Sequence, residues 1–144
     1  MADFLQNVAR ETFSEDKCVR IYLPVTRITD LDAGFICGLV TGEGSFTGDR
    51  KQPVLAIKLH EEDPGPLLLV QEKLGGKIYG PYCQDGRRYY FWRLMGKSLH
   101  ASLPLFAERL PDSRKRRQFT NWIRRYQLAE ILQIMTELEH VDDS

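Results

Sequence analysis

The chain has no net charge, few cysteines and no long apolar run, and each shortfall removes a class of protein. Twenty Lys plus Arg balance 20 Asp plus Glu, so no overall excess of one sign points to an oppositely charged partner. Cys18, Cys37 and Cys83 are odd in number and unclustered, which argues against both a disulfide framework and a zinc site. A reducing compartment is expected, either the cytoplasm or an organellar matrix. No apolar run approaches the ~18 residues of a membrane span. The first twenty residues lack the basic start and apolar centre of a secretion signal. A chain of 144 residues is expected to form one domain with its own core, and no internal repeat or low-complexity tract divides it.

Charge is present in quantity but unevenly spread. Residues 47–125 hold 16 Lys plus Arg against 8 Asp plus Glu, whereas the two ends together are acidic. A basic middle is consistent with one electropositive face, because phosphate neutralisation needs local rather than global charge. Solvated surface charge is the plainer reading of the same asymmetry.

The most informative stretch is residues 35–46, FICGLVTGEGSF. Gly34, Gly38 and Thr41 recur at helical spacing with Cys37 beside them, so one helix face is nearly bare and another backbone can approach it. Gly42 and Gly44 are expected to end the helix through left-handed dihedrals. Glu43 then sits in a tight turn at the negative end of the helix dipole, where a carboxylate is disfavoured unless a cation shares the site. That arrangement asks for a metal.

Local signals set the order of elements. Thr29 with Asp32 reads as a capping box that starts a helix near Asp30 and runs to Gly42. Residues 45–49 and 54–61 read as a hairpin, with Ile57 and Leu59 alternating against Lys58 and His60. Asp63-Pro64 caps a second helix that closes at Gly75. Residues 77–83 and 87–95 form a second hairpin turned at Asp85-Gly86. Residues 98–110 read as a helix interrupted at Pro104, and from Ser113 onward an apolar stripe marks one long helix or two. Residues 3–11 suggest a short helix and 19–25 an extended segment, so residues 1–28 form an extension with no assigned role. The whole is an α+β layout: a four-stranded antiparallel sheet, helices on one face, the other face free.

Residues 36–46, ICGLVTGEGSF, resemble the signature of the LAGLIDADG homing endonucleases in its LAGLIDGEGSF form, with Cys37 for the usual alanine and Thr41 for the usual first aspartate. The resemblance extends through Leu74-Gly75-Gly76-Lys77-Ile78-Tyr79, Tyr90-Phe91-Trp92-Arg93-Leu94-Met95-Gly96-Lys97 and residues 115–122, covering roughly residues 29–139. It implies an αββαββα fold in one domain over residues 29–144. Because the signature occurs once, it also implies a homodimer paired through Gly34, Cys37, Gly38 and Thr41. The implied activity is cleavage of double-stranded DNA at a roughly palindromic site, for a mobile element such as an intron. Glu43 and the Gly42 carbonyl would bind magnesium, a hard cation suited to oxygen donors. Lys115 would stabilise phosphate charge, and Glu61 stands where relatives often place a glutamine that holds water near the metal.

The free sheet face is expected to read DNA through Lys58, His60, Lys77, Tyr79, Phe91 and Arg93, with Arg50, Lys51, Arg87 and Arg88 near the turns and Arg116 in the basic run. For each, a solvated surface position is the plainer alternative. At Thr41 and Glu61 the chain departs from the family pattern. That leaves a second reading open, a cleavage-weak module serving as an RNA splicing helper on intron RNA or as a DNA-binding regulator.

Overall fold

The computed structural model describes residues 28–143, with side chains through Glu139; the segments expected at 3–11 and 19–25, and Cys18, lie outside them. Helix α1 (Asp30–Glu43) leads into strands β1 (Gly44–Asp49) and β2 (Gln52–His60). Helix α2 (Pro64–Leu74) is followed by β3 (Lys77–Gln84) and β4 (Arg87–Leu94), then by α3 (Gly96–Arg109), α4 (Arg114–Arg125) and α5 (Ala129–Asp143). The four strands form one antiparallel sheet in the order β1-β2-β4-β3, so each hairpin stays intact and the two meet through their second strands. No helix among the described residues is long and apolar enough to cross a membrane.

One face of the sheet is covered. Phe46, Leu55, Ile57, Trp92 and Leu94 alternate toward the helices and are buried with Ala33, Ile36, Cys37 and Val40 of α1 and Leu99, Leu103 and Phe106 of α3. The spacing of the α1 residues is the i, i+3, i+4, i+7 stripe of a helix with one apolar face inward. Phe46 holds the centre of an aromatic cluster, with ring centroids 5.7, 5.0 and 5.1 Å from Phe106, Phe119 and Trp122. Arrangements of this kind add about 0.5–1.5 kcal/mol per pair beyond area burial.

Most local signals act as expected. Thr29 Oγ1 accepts from the Asp32 N–H at 3.1 Å, although Asp32 turns its own carboxylate to Lys73, 3.5 Å away, instead of closing the box. Asp85 and Gly86 both have positive φ, 52° and 76°, as a two-residue hairpin of this type requires. Gly75 ends α2 at φ 87°. Asp63 occupies the N-cap of α2 without a side-chain capping bond.

Two expectations are corrected, and the choice left open for the C-terminal stripe is resolved. The helix runs through Pro104, because its neighbours Leu103, Leu105 and Phe106 are buried and their packing outweighs the one rung that proline removes. The C-terminal stripe is two helices, broken where Gln127 adopts φ 54°. Gly42 and Gly44 do not end α1 through left-handed dihedrals: the helix includes Gly42 and Glu43, and Gly44 is extended at φ −82°. Gly44 is needed for space. A Cβ there would lie 2.8 Å from the Val40 carbonyl oxygen and 2.9 Å from its Cα, contacts with backbone that cannot step aside.

Gly44→Ala should therefore destabilise the fold by about 1–3 kcal/mol, the usual range for forced overpacking. The check is the midpoint of urea unfolding, and an unchanged midpoint would refute the crowding.

Candidate functional site

Glu43 is the last residue of α1 and Gly44 the first of β1, so no loop separates them. Glu43 is exposed and enters no hydrogen bond or ion pair among the described residues. Its neighbourhood is built by α4. Lys115 Nζ donates to the Gly44 carbonyl and to Gln118 Oε1, the latter at 3.2 Å. The Phe46 N–H donates to the same Gln118 oxygen at 3.2 Å, and Trp122 Nε1 donates to the Thr47 carbonyl at 2.7 Å. A lysine ammonium is thus held at the carbonyl of the residue that follows Glu43.

Glu61 is placed differently. Gly44 pairs with Ile57 across the sheet, and Glu61 follows the end of β2 at His60, four residues beyond that pair. Its carboxylate lies 3.3 Å from Arg88 Nε, and its N–H donates to the Arg88 carbonyl at 3.0 Å. No group of three His, Cys, Asp or Glu side chains among the described residues could enclose a metal. One chain therefore offers an unpaired Glu43 carboxylate beside backbone carbonyls. That donor set fits magnesium, which keeps its waters and takes one or two carboxylates plus substrate phosphate.

The outer face of α1 is bare. Leu31, Gly34, Phe35, Gly38 and Gly42 are exposed along it, and a Cβ at Gly34, Gly38 or Gly42 would meet nothing within 4 Å. Leu31 is 83% exposed and Phe35 44%, so the stripe is apolar as well as open. Cys37 does not belong to this face. It is buried in the core with Sγ directed at the Leu105 carbonyl, 3.9 Å away, and burial pushes its thiol up to about 11 against the opposing influence of Arg109. The Thr41 hydroxyl donates back to the Cys37 carbonyl at 2.6 Å, tying it to its own helix.

On the free side of the sheet the register sets Ala56, Arg93 and Lys77 in one row, Lys58, Phe91 and Tyr79 in the next, and His60, Tyr89 and Tyr82 in the third. A bulge in β3 makes the third row aromatic. Between Tyr79 and Tyr82 the strand gains one residue on β4, so two tyrosines an odd number apart face the same way. Gly80 permits it with φ 112° where a Cβ would meet the Tyr89 carbonyl at 2.8 Å. His60 packs edge-on against Tyr89, and its Nδ1 accepts the Glu62 N–H at 3.2 Å. Arg50 and Lys51 join Arg125, Tyr126 and Gln127 around a cleft of about 260 Å³, three cations at the tip of the first hairpin.

Two expected DNA contacts are redirected. Arg88 shares its side of β4 with Trp92 and Leu94, not with Arg87, and its guanidinium is matched by Glu61. Arg116 donates to the Leu110 and Ala107 carbonyls at 2.6 Å each and to the Phe106 carbonyl at 3.5 Å, capping the negative end of α3. Within the basic run, helical geometry alone separates Lys115, facing β1, from Arg116, facing α3. Sequence reasoning missed Gln118, Trp122, Tyr82, Gln84 and Tyr89. Alternation along β4 could have supplied Tyr89, but Tyr82 and Gln84 were hidden by the bulge.

No family model matches the chain, and no curated protein matches its sequence. Solved structures do match. The LAGLIDADG meganuclease I-CpaMI bound to uncleaved DNA aligns with a TM-score of 0.58 at 23% identity, over 72% of this chain and 38% of that one. The group I intron-encoded homing endonuclease I-CeuI complexed with DNA gives 0.58 at 16% identity, over 88% of this chain and 71% of its own. The LAGLIDADG homing endonuclease I-LtrWI bound to target DNA gives 0.54 at 16% identity, over 92% and 50%. This chain thus spans well under half the length of the first. What the likeness establishes is the fold: an antiparallel four-stranded sheet carrying helices on one face, in the LAGLIDADG homing endonuclease arrangement.

Arg116→Met should lower unfolding free energy by about 1.5–3 kcal/mol, the range for a charged hydrogen-bonding group, by leaving the α3 carbonyls without their donor. Urea unfolding of the two proteins reads the difference, and equal midpoints would remove the capping role from Arg116.

Proposed function

We propose that the chain is a site-specific double-strand DNA endonuclease of a mobile genetic element, working as a homodimer by magnesium-assisted phosphodiester hydrolysis. The observation that carries this reading is the adjacency of an unpaired carboxylate, Glu43, to a bare apolar helix face on one side and a fixed ammonium, Lys115, on the other. Two chains meeting through Gly34, Gly38 and the flanking Leu31 and Phe35 would bring two Glu43 carboxylates together, where their repulsion favours cations between them. Each strand of a duplex then has an acid of its own, and two-fold symmetry calls for a target with matching half-sites.

Glu43, with the Gly42 carbonyl, would hold the cation. Magnesium bound there supplies polarisation of the scissile phosphate and a lower pKa for the attacking water. Lys115 retains at least one N–H beyond its two protein partners and can offset charge on the phosphate as the water oxygen bonds to phosphorus and the bond to the leaving sugar oxygen breaks. The basic and aromatic face of the four-stranded sheet would present its side chains to the major groove. Arg50, Lys51 and Arg125 are grouped to meet a backbone phosphate.

One observation favours the second reading, a cleavage-weak module acting on intron RNA or as a DNA-binding regulator. The Glu61 carboxylate, at the position where relatives often hold water near the metal, is paired with Arg88 instead.

The purified protein, given duplex DNA flanking its own gene and magnesium, should cut both strands. Glu43→Gln should bind the same duplex without cutting. Gly38→Leu, whose Cβ would meet nothing within 4 Å, should keep or gain up to ~0.8 kcal/mol of stability from helix propensity. It should nonetheless sediment as a monomer and leave the duplex intact. Binding by the parent protein without any cleavage, or retention of intron RNA alone, would select the second reading.

A further inference from the structure

Lys58 is not a free cation on the sheet face. Its ammonium donates to Gln84 Oε1 at 2.7 Å and lies 4.3 Å from the centroid of the Tyr89 ring and 5.7 Å from that of Phe91. Lys58 stands on β2 and Gln84 on β3, with β4 between them, so the side chain crosses a whole strand along an aromatic track to reach the amide. Tyr82 packs its ring against Phe91 at 5.8 Å and closes the track from the other edge.

We propose that Lys58 and Gln84 form a single reading unit that selects guanine at one base pair of each half-site; the proposal rests on the reading of this chain as a duplex DNA-binding protein. A free glutamine reads adenine with both ends of its amide, donating from the NH₂ to N7 and accepting at the oxygen from the N6 amino group. Here the oxygen is engaged by an ammonium. An amino group approaching its remaining lone pair would be driven against that positive charge. What the pair still offers outward is the Gln84 NH₂ and the unused N–H bonds of Lys58, which are donors only. In the major groove, guanine alone presents two acceptors side by side, O6 and N7. Adenine and cytosine each place an amino donor in the way, and thymine places a methyl group. The rings beneath Lys58 hold its stem in place, so little side-chain freedom is left to lose when the base docks.

The unit combines two residue types that give opposite expectations when read singly. Glutamine suggests adenine, and lysine suggests any phosphate or guanine. The contact between them resolves the choice.

The test is selection of bound duplexes from a randomised library, comparing the unaltered protein with Lys58→Met and Gln84→Met, each checked for an unchanged circular dichroism spectrum. The unaltered protein should enrich guanine at one pair of each half-site. Lys58→Met keeps an apolar stem over Tyr89 and frees the amide oxygen, so preference at that pair should move from guanine to adenine by about tenfold or more. Gln84→Met should retain guanine with weaker discrimination. Identical profiles in all three proteins, or a uniform loss of affinity across sequences in Lys58→Met, would overturn the unit while leaving DNA binding intact. An unaltered protein that enriches no duplex would overturn the unit and the endonuclease reading together.

Discussion

The position of Glu43 depends on a seam between helix α4 and the edge strand β1. An edge strand carries backbone groups without sheet partners, and such groups invite another chain unless something covers them. Here Lys115 takes the Gly44 carbonyl, Gln118 the Phe46 N–H and Trp122 the Thr47 carbonyl. Side chains of one helix thus satisfy three backbone groups of the strand, at Gly44, Phe46 and Thr47. Behind the seam Phe46 is wedged among Phe106, Phe119 and Trp122. The same contacts that protect the edge hold an ammonium at the carbonyl of the residue after Glu43.

Glycine serves two opposite needs within ten residues of α1. At Gly44 the space is already full, and a side chain would collide with Val40. At Gly34 and Gly38 the space is empty, and a side chain would stand out from the surface. Composition treats these residues as equal, yet one is required by the chain's own packing. The others leave a bare strip of helix that another backbone could approach.

Much of the fold was legible because the signals were short-range: the Thr29 cap, the Gly75 stop, the Asp85-Gly86 turn and the alternation along β2 all depend on neighbouring residues. The candidate site was legible at Glu43 and Lys115 through resemblance, and at the bare helix face through spacing. What escaped depends on contacts distant in sequence. Cys37 faces inward because α3 lies against that side of α1, and Arg116 turns away from solvent because the end of α3 presents unpaired carbonyls. Arg88 finds Glu61 from an adjacent strand, and Gln84 finds Lys58 from two strands away. The bulge in β3 depends on an extra residue whose place follows from pairing with β4, so alternation counted along β3 loses step at Tyr82.

Helix α1 passes into β1 with no intervening residue, and Val40 is locked over the first residue of the strand. Such a joint has no slack. A tilt of the helix cannot be absorbed by a hinge and must appear as a displacement of the strand and of the hairpin it begins. Where two such helices lean on each other, their angle would set the spacing between the two hairpins as a caliper sets its jaws. Changes of length in the DNA between half-sites would then be tolerated far less readily than changes of base within them.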